Sequence, residues 1–202
     1  YGHTYKYNSS IGKNESTGGV YGVSNITSSE LIPIGYGGVC ARLYTSTGAL
    51  SRSGSWHYNG YEVNGMGSGA LDAPSSGTYY SKGQVRFYNG DGYTTYSTKA
   101  SPNMTQYNSI STSASHLQTN QTGLTYGSAL FSETEPDLIL AEGISGNIGY
   151  VKSSDLNGPM PVSAYAAIQM QTSQSRVIPV YESDGITVID TFVIDATTPI
   201  YS

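Results

Sequence analysis

The sequence predicts a mainly β chain: an N-terminal antiparallel β-sandwich over residues 1–110, a linker at 111–123, and a small acidic α+β module at 124–202 built as hairpin, short helix, hairpin. Three observations carry this expectation. Apolar and polar residues alternate in short runs through the first half, turn dipeptides punctuate those runs, and one stretch alone has the character of a helix.

In the first unit, Val39, Ala41 and Leu43 alternate with Cys40, Arg42 and Tyr44, and Val85 and Phe87 alternate with Arg86 and Tyr88. Successive side chains of a strand point to opposite faces, so each run reads as one strand. Turns are expected at Asn59-Gly60, Asn64-Gly65, Asn89-Gly90 and Asp91-Gly92, whose residues tolerate the positive φ of tight hairpins. Trp56 reads as a core or edge anchor.

In the second unit, Leu138–Glu142 and Ile148–Lys152 flank a Gly-rich turn, and residues 177–181 face residues 186–194 across a second turn. Pro179 has no N–H for a ladder, which places its strand at an edge or turns its nitrogen outward. The helix is expected over 163–171, with Pro161 upstream and Ser163 as N-cap. So short a helix must pack to persist.

Charged residues make up only 11% of the chain, against about 25% in average soluble proteins, while Gly (25) and Tyr (19) are abundant. Hydroxyls, phenols and amides must therefore wet the outer faces of the sheets. Residues 1–110 carry seven Lys/Arg against five acids, and residues 111–202 carry two against nine; 14 tyrosines precede residue 111 and five follow it. Two units of different surface chemistry are the simplest reading.

A net charge of −5 with apolar runs such as 138–141 and 188–194 is not the composition of a disordered chain. Dispersed bases and a pI near 5.0 lack the electrostatic footprint of nucleic-acid binding. No apolar run reaches the roughly 18 residues of a membrane-spanning helix. Tyr1, in place of an initiator Met, reads as the residue after a removed leader, or as the start of a chain trimmed by other means. Cys40 is the only cysteine, which excludes an intrachain disulfide, and it reads as a buried strand thiol.

An ordered series of motifs then links the second unit to a family. Tyr126-Gly127-Ser128, Glu135-Pro136-Asp137-Leu138-Ile139, Gly149-Tyr150-Val151, Ser154-Asp155-Leu156-Asn157-Gly158, Ile178-Pro179-Val180-Tyr181, Asp184-Gly185 and Thr187-Val188-Ile189 resemble the C-terminal module of uncharacterised secreted proteins of Gram-positive (Firmicutes-type) bacteria. The resemblance covers residues 124–195. It implies export to the cell surface or medium and supplies no catalytic residue. One departure stands out: such modules often have an acidic helix after the proline, whereas residues 162–170 here carry no charge. A helix uncharged all round has little face for water, so Tyr165 is expected to meet the first unit or another subunit.

Catalytic patterns are absent from the sequence. His3, His57 and His116 are too dispersed for a helical metal pair and read as surface or turn residues. Gly65-Met66-Gly67-Ser68-Gly69 lacks the Lys-Ser/Thr of a phosphate loop. Glu133, Glu135 and Asp137 cluster, but acids at alternate positions before a strand are ordinarily solvated. Asn89-Gly90-Asp91-Gly92 lacks the later bidentate acid of a full calcium loop and reads as a hairpin turn. No enzyme, cofactor or metal is expected.

Three functions remain. The first is a secreted structural or interaction protein, a subunit of a self-assembling surface fibre, with Tyr1, Tyr5, Tyr7 and Tyr165 at contacts between copies; the N-terminal run would either add a strand to a neighbour or form the first strand of its own sheet. The alternative is a module binding cell-wall or other external glycan, with Tyr44, Tyr58, Tyr80 and Tyr88 as a stacking platform beside Arg42 and Arg86. A pore-forming toxin ranks last, because no pair of roughly ten-residue amphipathic spans is evident.

Overall fold

A computed structural model describes residues 4–106, 117–172 and 174–202. In chain order its strands begin with β1 (Tyr5–Lys13), β2 (Val20–Ile32), β3 (Gly37–Cys40), β4 (Arg42–Thr45), β5 (Leu50–Gly54) and β6 (His57–Tyr58). There follow β7 (Val63–Gly67), β8 (Leu71–Asp72), β9 (Gly77–Ser81), β10 (Gln84–Tyr88), β11 (Tyr93–Ser97) and β12 (Met104–Gln106). The second half holds β13 (Gln118–Thr119), β14 (Thr125–Gly127), β15 (Leu138–Glu142) and β16 (Ile148–Lys152). Two short helices, α1 (Ser153–Asn157) and α2 (Ala164–Gln169), precede β17 (Arg176–Tyr181), β18 (Val188–Asp195) and β19 (Ile200–Tyr201). The chain is mainly β, as its alternation predicts.

Two sheets form a sandwich. One has the order β1-β2-β7-β19, with β8 also on β2, and the other β11-β10-β3-β6. Between them lie Ile26, Val39, Val63, Met66, Val85 and Phe87. Hydroxyls tie one border of this core: Ser9 Oγ lies 2.7 Å from both Ser24 Oγ and Thr98 Oγ1, and the Gly83 N–H donates to Ser9 Oγ at 2.9 Å. Nothing bulkier than glycine fits at Gly83, where a Cβ would sit 2.3 Å from the Cys40 carbonyl oxygen.

The third sheet has ten strands and crosses the boundary expected at 111–123. One edge of β5 takes β4 antiparallel. Its other edge is divided between β15, with Ala141 opposite Leu50, and β18, with Ile194 opposite Ser53 and Asp195 opposite Gly54, all in parallel. Because β15, β16, β17 and β18 pair in series, β5 closes them into a ring of five strands. Leu50 therefore joins Ile139, Ala141, Val151, Ile178, Val180, Phe192 and Ile194 in one apolar core, with Leu156 of α1 over it. Strands β15–β18 thus share a barrel with β5 of the first half.

Several local expectations change. Asn64-Gly65 is no turn but the middle of β7, where a Cβ on Gly65 would come 2.6 Å from Ser202 Oγ and 3.1 Å from the Ile26 carbonyl oxygen. Glycine there serves close approach of the chain's last strand. The β17 strand lies between β16 and β18 rather than at an edge; Pro179 is opposite Thr191, and β16 meets β17 only at Tyr150–Tyr181, which leaves the proline nitrogen clear of that ladder. His57 is buried, with Nε2 2.7 Å from Thr197 Oγ1, instead of lying in a surface turn. His3 and His116 lie outside the described residues.

Candidate functional site

The structure puts the six residues of the expected stacking platform in different places. Tyr44 (1% exposed), Tyr58 (2%), Arg42 (1%) and Arg86 (3%) are buried, and only Tyr80 and Tyr88 are half-exposed. These six residues form no open platform. Strand β4 runs between β9 and β5 with both faces covered, so residues alternating with the core there point into more protein. Tyr80 packs on the barrel core, and Tyr88 joins Tyr58, Tyr93, Trp56 and Ile168 around Ala167 of α2.

Of the expected contact residues, Tyr1 lies outside the described residues. Tyr5 and Tyr7 stand on β1, which pairs in register with β2 as an ordinary first strand; Tyr5 stacks on Phe87 at 4.1 Å and Tyr7 lies 5.9 Å from Tyr96. Tyr165 is 76% exposed. Ala167 instead makes the contact with the first half, and Ser163 caps the helix by accepting the Ala166 N–H at 3.1 Å. The close fit continues at Gly35, where φ is +75° and an added Cβ would sit 2.5 Å from the Ala164 carbonyl oxygen, so no side chain is admitted.

Arg42 is the centre of a buried polar clasp between the halves. It pairs with Glu135 and donates to Asn157 Oδ1 at 2.7 Å and Gln84 Oε1 at 3.2 Å. Glu135 also accepts from Gln84, Ser153 and Asn157, each at 2.6 Å. Burial alone would raise the Glu135 carboxyl, but the Arg42 charge and these donors outweigh it and hold the group below its ordinary value. Burial pushes the Tyr44 phenol up to about 12 and raises the Cys40 thiol, which leaves Cys40 an inert core group. Asp137 accepts from the Thr125 N–H and hydroxyl at 2.8 and 2.7 Å. Two of the three clustered acids are thus held by the chain itself. In the Asn89–Gly92 turn, Asn89 Oδ1 accepts the Asp91 N–H at 3.0 Å. Among the described residues no group of three or more His, Cys, Asp or Glu side chains could hold a metal ion.

Two adjoining clefts, together the trough, lie at the junction of sandwich and barrel. Its first part, about 290 Å³, is lined by Trp56, Tyr58, Arg86, Leu156, Pro159, Pro161, Met170 and Arg176, among others. Its second, about 600 Å³, is bordered by Thr95, Tyr96, Glu133, Glu135, Ser154 and Met160. The two parts share Arg86, Asn157 and Gly158 as their common wall. Arg86 lies over the Trp56 ring at 3.8 Å and donates Nη1 to Tyr58 Oη at 2.9 Å, with a longer contact from Nε to Thr95 Oγ1 at 3.4 Å. Arg176 donates to the carbonyls of Asp155 and Leu156, both at 2.7 Å, and so fixes the end of α1 beside the trough. Gly158, at φ +62°, ends that helix and turns the chain toward Pro159.

No family model, curated protein or solved structure matches the chain. Of the trough residues, sequence reasoning singled out Trp56, Tyr58 and Arg86 but missed Pro159, Pro161, Met170 and Arg176. Helix α1 was also missed. Its one signal was Asp155-Leu156-Asn157-Gly158, a polar pair around one apolar residue with a glycine stop.

Proposed function

We propose that this chain is a secreted, non-enzymatic binding protein that holds an extracellular glycan strand in the trough between sandwich and barrel. The observation that carries the reading is the pair of adjoining open clefts: the first is lined by an indole, two prolines and a methionine, and guanidinium and amide groups stand in the wall the two share. Apolar ring faces suit the C–H faces of sugars, while planar polar groups suit their hydroxyls. The export implied by the resemblance to Gram-positive secreted proteins, and the low charge of the chain, support an extracellular setting.

Trp56 is the only tryptophan, so its emission reports directly on the trough. Titration with soluble cell-wall and plant oligosaccharides is expected to shift or quench that emission saturably, and Tyr165→Ala, an exposed residue outside the trough lining, is expected to leave the response unchanged. Absence of any saturable change across such a panel contradicts the reading.

A second reading, a subunit of a surface fibre, is favoured by one feature. Strand β1 has nine residues and borders only β2 among the described residues, and Tyr7 and Tyr96 meet beside that open edge. A long edge strand can template another chain. Concentration-dependent filaments in electron microscopy would support it, and a monomer at high concentration would remove it.

A further inference from the structure

The chain holds four arginines, and they divide into two kinds. Arg42 pairs with Glu135, and Arg52 lies 3.1 Å from Asp195. Arg86 and Arg176 have no carboxylate partner among the described residues. These two unpaired arginines both line the first part of the trough, where no acid is among the lining residues, although the chain carries 14 acids against nine bases. Two guanidinium groups therefore face the same cleft with no carboxylate in its lining.

Arg86 makes the case sharper. It is 3% exposed, and its neighbours are all neutral: the Trp56 ring, the Tyr58 phenol and the Thr95 hydroxyl. Among the described residues its Nη2 makes no hydrogen bond. Arg86 therefore keeps an N–H edge free for a ligand in the cleft it lines, and its planar fork matches a carboxylate. The buried Arg42, by contrast, has its carboxylate built in.

We infer that the trough takes an acidic glycan, a sugar chain carrying ring carboxylates, with an acidic residue seated at the Arg86–Arg176 end. This rests on the glycan reading given above and adds its chemical class. The second part of the trough sets a direction. Arg86 stands in the wall of both parts, but the second has the exposed Glu133 on its border and Glu135 already paired with Arg42, so the carboxylate is better seated in the first, where no acid lines the wall.

The test uses the full chain and one matched pair of probes, trigalacturonate and the same trisaccharide with its carboxylates reduced to hydroxymethyl groups. Trp56 emission and titration calorimetry are read at low and high salt. A charge-assisted pair predicts binding of the acidic probe about tenfold or more tighter than the neutral one, a gap that narrows as salt rises. Arg176→Gln is expected to lose most of that preference, and Arg86→Gln to lose it as well, provided its thermal melt shows a folded chain. Equal or tighter binding of the neutral probe overturns the acidic class while leaving the glycan reading in place. Binding of neither probe, nor of any glycan in the broader panel, removes both. Retention of the acidic preference in Arg176→Gln and in a folded Arg86→Gln also overturns the inference.

Discussion

Glu135 and His57 are two buried groups through which this chain responds to acid. In the folded chain the Glu135 carboxyl lies below its ordinary value, because Arg42 and three other donors outweigh its burial. A depressed carboxylate contributes stability that is present above its unfolded pKa, about 4.3, and is lost as pH falls through the folded value. His57 is lowered by burial, against the weaker pull of Thr197 and Gln171, and so stays neutral in the fold. Its contribution is present above the unfolded pKa, about 6.5, and is lost as pH falls through the lowered value. Thermal melts from pH 8 to pH 3 should therefore show two successive losses, the first starting near 6.5 and the second below about 4.3. His57→Asn should flatten the first alone. Glu135→Ala leaves Arg42 buried without its partner and should cost about 3 kcal/mol in urea unfolding at neutral pH. Arg42 and Arg86 were legible as notable residues, but their burial was not, since alternation shows which residues share a face and says nothing about whether that face meets water or a neighbouring sheet.

Helix α2 and the hairpins show where local pattern suffices. Strands β15 and β16 fall at the bounds their apolar runs predict, α2 starts after Ser163 as its cap requires, and the Asn89–Gly92 hairpin has the positive φ at Gly90 and Gly92 that its composition demands. These signals are short-range. Asn64-Gly65 misled because its glycine answers a long-range need, room for β19, and α1 was missed because five residues carry too little periodicity. Tyr165 was expected to meet the first unit or another subunit; within the chain its neighbour Ala167 meets the sandwich, and Tyr165 itself is exposed. Tyr165→Glu should then change unfolding free energy by no more than about 0.5 kcal/mol. Gly35→Ala faces both a left-handed backbone and the Ala164 carbonyl, so it should cost at least about 1 kcal/mol and loosen α2, read by urea unfolding and by amide exchange at 166–170.

The whole chain is held together at β5. The shift in charge and tyrosine content near residue 110 is real in the sequence, but surface chemistry does not report strand pairing, and the parallel contacts of β5 with β15 and β18 join residues far apart along the chain. A fragment of residues 124–202 lacks Leu50 and the strand that closes the barrel, and it frees Glu135 from Arg42. Such a fragment should show no cooperative thermal transition, whereas the full chain should unfold in one step. The same junction builds the trough, since Arg86 and Trp56 come from the first half and Pro159, Pro161 and Arg176 from the second. Binding and architecture are therefore linked. Amide hydrogen exchange of the full chain, with and without a saturating acidic oligosaccharide, reads that link most directly: protection confined to the trough lining, residues 55–58, 84–86, 95–97, 133–135, 153–161, 170–172 and 174–176, is predicted, and protection along β1 instead, or none at all, would contradict it.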